Sequence, residues 1–255
     1  LAVYEKVNRD IPLNGLHWFF DHAETVSPRN IERIRAMGGG IAIQHRMAFQ
    51  GEYFVNRYGK KAAAMAPPVR EMLKLGVPVG AGTDATRVAS YNPWVSLSWL
   101  VTGRTVGGYQ LYSEDNRLER EQALRLWTKG SAWFSDEQNA KGELSPGWLA
   151  DFSILSADYF SVPDSDIQGL ESVLTVVGGK PVFAAAEFSG LAPAPPPVLP
   201  DWSPVKFHGG AHNRPLPLAK AGISLCDHGH AHSGLAVAPS DGGNPWDLGC
   251  ACFAI

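Results

Sequence analysis

The stretch GVPVGAGTDATRVASYNPW (76–94) decides how this chain is read. Gly76 stops whatever precedes it. Residues 77–82 are then apolar and small, as a strand covered on both faces is. Thr83 and Asp84 follow abruptly, and further on Asn92-Pro93 carries a helix start, a capping side chain before proline at the first helical position. Trp94, Leu97, Leu100 and Val101 continue at helical spacing. The reading is strand, polar strand end, helix. Asp84 at that end is open to three interpretations: a helix cap, a turn residue or a chemical group. Gly80 and Gly82 are expected to let the strand approach its neighbours closely.

The same unit recurs upstream. Residues 17–20 (HWFF) read as a buried strand ending at Asp21-His22, and Ser27-Pro28 starts a helix with Ile31, Ile34 and Met37 on one face. Residues 40–43 (GIAI) form the next strand, ending at Gln44-His45. A loop of about twenty residues is expected after it. Pro67-Pro68 opens a helix carrying Val69, Met72 and Leu73, which Gly76 ends. Three strand–helix repeats predict parallel βαβ units, whose ligands sit at the carboxyl ends of the strands. Here those ends carry Asp21-His22, Gln44-His45 and Thr83-Asp84.

Residues 119–129 read as an amphipathic helix with Leu124 and Trp127 on one face and Gly130 as its stop. Beyond residue 142 the texture becomes β: strands over 150–155, 172–177 and 181–184, the last two joined through Gly178-Gly179. A proline-rich spacer, APAPPPVLP (192–200), leads into a Gly-, Pro- and His-rich remainder of weak periodicity. The fold class is α/β. The expected organisation is residues 1–139 as βα repeats, 140–190 as a small β segment, and 191–255 as spacer and tail.

Composition narrows the function. With 45% hydrophobic residues among 255, a sizeable core is expected. A formal net charge of −3 argues against nucleic-acid binding, and no Lys/Arg run or long apolar run points to a membrane. The first residue is leucine, which reads as a chain that begins after processing or inside a longer reading frame. All three cysteines, Cys226, Cys250 and Cys252, lie near the C-terminus. Cys226, His228, His230 and His232 alternate in CDHGHAH, so an extended chain would place them on one face. With Cys250 and Cys252 they offer a possible tail metal site, Cys and His being zinc and copper ligands, although the spacing is not that of a zinc finger.

Taken in order, DHAETVSPRNIERIRAMGGGIAIQ (21–44), GVPVGAGTDATRVASYNPW (76–94), GRTVGG (103–108), GELSPGWLADFSILSADYF (142–160) and VLTVVGGKPVFA (173–184) resemble the amidohydrolase superfamily, within it the YtcJ-like amidohydrolase family 3. The resemblance implies a TIM-like (β/α)8 barrel of which this chain holds strands 6 to 8, followed by a small β-sandwich segment and an irregular tail. It implies a divalent metal, usually zinc, with His22 matching the strand 6 ligand and Asp84 the strand 8 aspartate that also moves protons. His45 ends strand 7, where substrate contacts are expected, and Arg87, Trp94 and Arg104 are candidates for lining the pocket of a small-molecule substrate. The implied reaction is hydrolysis of a non-peptide C–N bond in an amide, cyclic amide or carbamate-like compound, through a metal-activated water. No H-x-H pair stands early in this chain, and the family's strand 4 ligand and strand 5 histidine have no counterpart in it. The site is therefore expected to need the N-terminal half of the barrel or another chain. The reading of another class is a non-catalytic fragment or binding module whose His/Cys tail holds metal or a partner.

Overall fold

The computed structural model describes residues 1–85 and 89–194, of which Leu1–Ala192 form one compact unit. Helix α1 (Ala2–Asp10) leads into strand β1 (Phe19–Asp21), then α2 (Pro28–Ala36), β2 (Gly40–Gln44), α3 (Arg46–Tyr58), α4 (Lys60–Ala63), α5 (Val69–Leu75), β3 (Val79–Gly82) and α6 (Pro93–Thr102). The three strands form one parallel sheet in the order β1-β2-β3, with Phe20 opposite Ile41 and Ile41 opposite Val79. All three expected repeats are present.

Their boundaries follow local chemistry. The Ser27 hydroxyl accepts from the Asn30 amide, with Pro28 at the first helical position, and α2 buries Ile31 and Ile34. Asn92 accepts from the Trp94 amide at 2.9 Å and so caps α6. β1 begins later than its apolar run because His17 sits at φ 50°, outside extended backbone.

Two expectations fail. The segment after β2 is helical rather than a loop. Its buried positions, Met47, Ala48, Gln50 and Gly51, have helical spacing. Gln50 and Gly51 hide that face from a hydropathy reading, and glycine is there because a side chain would meet Leu111 at 2.8 Å. Gly130 does not end the following helix either. Helix α7 (Arg120–Arg125), started by a Glu119–Gln122 capping box, runs into a π-helical turn (Leu126–Gly130) and then α8 (Ser131–Trp133). A Cβ at Gly130 would lie 2.3 Å from the Val79 carbonyl oxygen. The glycine thus lets this turn lie directly against β3, where the Ser131 hydroxyl sits 3.0 Å from the Ala81 carbonyl. Gly80 likewise admits the Phe134 ring, whereas Gly82 has open space around it, so close approach explains only the first of the two.

The β texture resolves into an antiparallel sheet, β4 (Phe152–Leu155), β5 (Ser172–Val177) and β6 (Lys180–Ala184), in that order. Gly178 and Gly179, at φ 57° and 76°, form the two-residue hairpin between β5 and β6. The core lies around the parallel sheet and its helices, with Ile31, Ile41, Ile43, Val69, Met72 and Leu100 all at 0% exposure.

Candidate active site

The carboxyl ends of the parallel strands bring His22 and Asp84 together. Strands β1 and β3 are separated by β2, which puts their axes roughly 9.6 Å apart. Even so, His22 Nε2 lies 3.8 Å from Asp84 Oδ2. The two side chains lean toward each other over the end of β2. There Gln44 Oε1 accepts from the His22 amide at 2.9 Å, while Gln44 Nε2 donates to Asp21 Oδ1 at 3.0 Å.

Both residues stand on left-handed backbone, His22 at φ 69° and Asp84 at φ 54°, with Ala23 at φ 61° beside them. Such conformations are unfavourable for side chains with a Cβ and persist where the surroundings impose them, often at functional sites. Asp84 is not the cap of α6. Asn92 caps α6, and the Thr83 hydroxyl takes the Ala85 amide. Among the described residues, the one ion-pair or hydrogen-bond partner of the Asp84 carboxylate is His22.

On its other side, His22 Nδ1 lies 3.8 Å from Glu24 Oε1. Both atoms are buried without a hydrogen-bond partner. This carboxylate was not among the candidates that the sequence offered. The positive φ at His22 and Ala23 breaks strand alternation and turns Glu24 back to the ring, and the i, i+2 spacing in His-Ala-Glu was the available signal.

His45 is fully buried at the start of α3, and its Nε2 donates to the Ser90 carbonyl at 2.9 Å. It ties the end of β2 to the segment that follows Asp84. Burial pushes its pKa down to about 4 from the ordinary 6.5, against the Ser90 hydrogen bond and the Asp84 charge, which act to raise it. The folded state therefore holds His45 neutral where the unfolded chain would protonate it. Stability should fall as pH drops from about 6.5 to about 4 and level off below. Urea midpoints across that window will show the decline, and His45→Gln should flatten it.

Two of the other candidates have surroundings of their own. Trp94, partly buried, lines a surface hollow with Tyr159, ring centroids 6.4 Å apart. Arg104 follows the far end of α6, a helix of 10 residues, and donates to the Gly108 carbonyl at 3.0 Å. Helix length alone puts it roughly 15 Å from the Asn92 cap. Arg87 and the tail candidates Cys226, His228, His230, His232, Cys250 and Cys252 lie outside the described residues.

Two ligand atoms sharing one zinc ion can be at most about 4.2 Å apart, given bonds near 2.0–2.1 Å. The 3.8 Å separation of His22 Nε2 and Asp84 Oδ2 fits that limit, and Glu24 stands where an acceptor for the second ring nitrogen belongs. Among the described residues, no group of three or more His, Cys, Asp or Glu can hold a metal ion. No described helix is long and apolar enough to cross a membrane.

A family model described as "Amidohydrolase family" matches residues 1–183. A protein of Bacillus subtilis (strain 168) described as "Putative amidohydrolase YtcJ" is 26% identical over 184 residues, which cover 71% of this chain and 35% of that protein. The N-substituted formamide deformylase of Arthrobacter pascens is 28% identical over 181 residues, 70% of this chain and 32% of that protein. The chain thus spans about a third of the length of the curated relatives it matches. A crystal structure of an uncharacterized metal-dependent hydrolase from Pyrococcus horikoshii OT3 superposes with a TM-score of 0.54 at 24% identity, covering 64% of this chain and 33% of that one.

Proposed function

Because the chain belongs to the amidohydrolase family, we propose that it supplies strands 6 to 8 of a TIM-like (β/α)8 barrel and, with them, one side of a metal-dependent hydrolase site. In this reading residues 1–139 belong to the barrel, 140–190 to a small β-sandwich, and 191–255 to a spacer and tail. The reaction is hydrolysis of a non-peptide C–N bond in a small amide, cyclic amide or carbamate-like substrate. The observation that carries the reading is the 3.8 Å approach of His22 to Asp84, both on left-handed backbone at the ends of strands that are not neighbours.

His22 Nε2 and Asp84 Oδ2 would hold a divalent metal, zinc by the donor types. Catalytic zinc takes three protein ligands, so the remainder of the set is contributed by residues outside those described, in the N-terminal half of the barrel or another chain. When bound, the metal lowers the pKa of water and polarises the substrate carbonyl. The other carboxylate oxygen of Asp84, Oδ1, would accept the proton of the attacking water and return it to the nitrogen as the C–N bond breaks. Glu24 holds the imidazole so that Nε2 faces the site. His45 is a positioning residue that fixes the Asp84 segment through Ser90.

The assembled enzyme should release amine from N-substituted amides, lose that activity to a chelator and regain it with zinc. Turnover indifferent to both chelator and loss of Asp84 would overturn the proposal. Glu24→Gln should weaken metal affinity about 10- to 100-fold, as loss of an acceptor behind a ligating histidine does. Competition with a chromophoric chelator reads this without an activity assay.

A further inference from the structure

The turn that leads into β1 carries a reactive pair that the reading above does not use. Asn14-Gly15 is the one asparagine–glycine step in the chain, whose other asparagines precede Arg, Ile, Ala or Pro. The Leu16 amide donates to the Leu13 carbonyl at 3.2 Å, so residues 13–16 form a β-turn with Asn14 and Gly15 at its centre. Both central residues are exposed. Gly15 sits at φ 85°, and a Cβ there would meet nothing within 4 Å. Among the described residues, neither the Asn14 side-chain amide nor the Gly15 N–H has a hydrogen-bond partner. A nucleophilic nitrogen and the carbonyl carbon it can attack thus stand uncommitted on adjacent residues. Glycine sets no side chain between them. An exposed turn closed by one long hydrogen bond also opens locally at little cost.

The surroundings make the position sensitive to charge and to chain length. A Cβ on Gly38 would lie 2.6 Å from Asn14 Oδ1, so the Asn14 side chain rests against the chain just beyond α2, which ends at Ala36. The carbonyl end of a helix is its negative pole, and a carboxylate beside it is unfavourable. The turn is also tied on both sides. The Leu13 amide donates to Asn8 Oδ1 at 2.8 Å, and His17 Nδ1 donates to the Trp133 carbonyl at 2.6 Å. Extra backbone between these ties has nowhere to go without loosening one of them.

We propose that Asn14 is a site of spontaneous deamidation. The Gly15 backbone nitrogen attacks Asn14 Cγ. The N–Cγ bond forms, the Cγ–Nδ2 bond breaks, and Nδ2 leaves as ammonia with the proton given up by the Gly15 amide. Water then opens the cyclic imide at either carbonyl. The product is aspartate or isoaspartate, the latter with an additional methylene in the main chain, and both put a carboxylate against the end of α2. The reaction is independent of hydrolysis at His22 and Asp84. The full chain, held in mildly alkaline buffer and mapped by peptide mass spectrometry, should convert at Asn14 ahead of every other asparagine, releasing one ammonia for each chain converted. The converted chain should unfold at a lower urea concentration than the fresh one. Asn14→Gln, whose longer side chain closes a ring far less readily, should show neither change. An Asn14 still intact when other asparagines have converted, or a converted chain as stable as the fresh one, overturns the proposal.

Discussion

Replacing Asp84 with asparagine in the assembled enzyme is expected to lower turnover about a hundred- to ten-thousand-fold, the range for loss of a general acid–base group. The substitution keeps shape and removes the charge that can accept a proton. The carboxylate is 40% exposed and pairs, among the described residues, with His22 alone, so the fold has little to lose. The effect should fall on kcat more than on KM, because the proton moves only in the chemical step. The unfolding midpoint should stay near that of the parent. An Asp84→Asn enzyme that keeps its kcat would return the residue to the role of a strained turn.

The second large effect concerns the sheet. Ile43 lies in β2, the central strand, with no exposed surface, inside a cluster that includes Ile31, Ile34, Ile41, Met72 and Leu100. Ile43→Ala should cost about 2–5 kcal/mol in urea unfolding, combining lost transfer energy with the cavity left behind. Ile43→Val, which removes a single methyl group, should cost about 0.5–1.5 kcal/mol. A loss below 1 kcal/mol for the alanine variant, on the order of a surface change, would place the core away from β2.

The repeats were legible because each carries its own punctuation. Ser27-Pro28 and Asn92-Pro93 announce helices, and both caps are made by the expected side chains. His22 and Asp84 were legible as strand-end residues for the same reason. Their mutual approach was implied by the family resemblance and not by local pattern, since it depends on left-handed backbone at residues with no glycine to signal it. Glu24 was missed through the same departure from alternation. Helix α3 was hidden because its packing face includes glutamine and glycine, chosen for fit against Leu111 rather than for hydropathy. The π-helical turn was misread as a stop at Gly130, where tertiary contact with β3, not chain termination, sets the residue. Arg104 was a candidate for the pocket lining, and its separation from the Asn92 cap by the length of α6 was not legible in the sequence.

That turn has a bearing on association. By lying along β3 it occupies one margin of the parallel sheet, while β1 keeps Phe19 40% exposed at the other. A sheet open on both margins can recruit strand after strand into a filament. One that is open on a single margin can accept one neighbour, and two identical molecules meeting there satisfy each other and leave no growing end. The few atoms that glycine omits at position 130 thus let the turn sit where the next strand of the proposed barrel would pair, so closing that barrel requires the turn to leave the β3 margin.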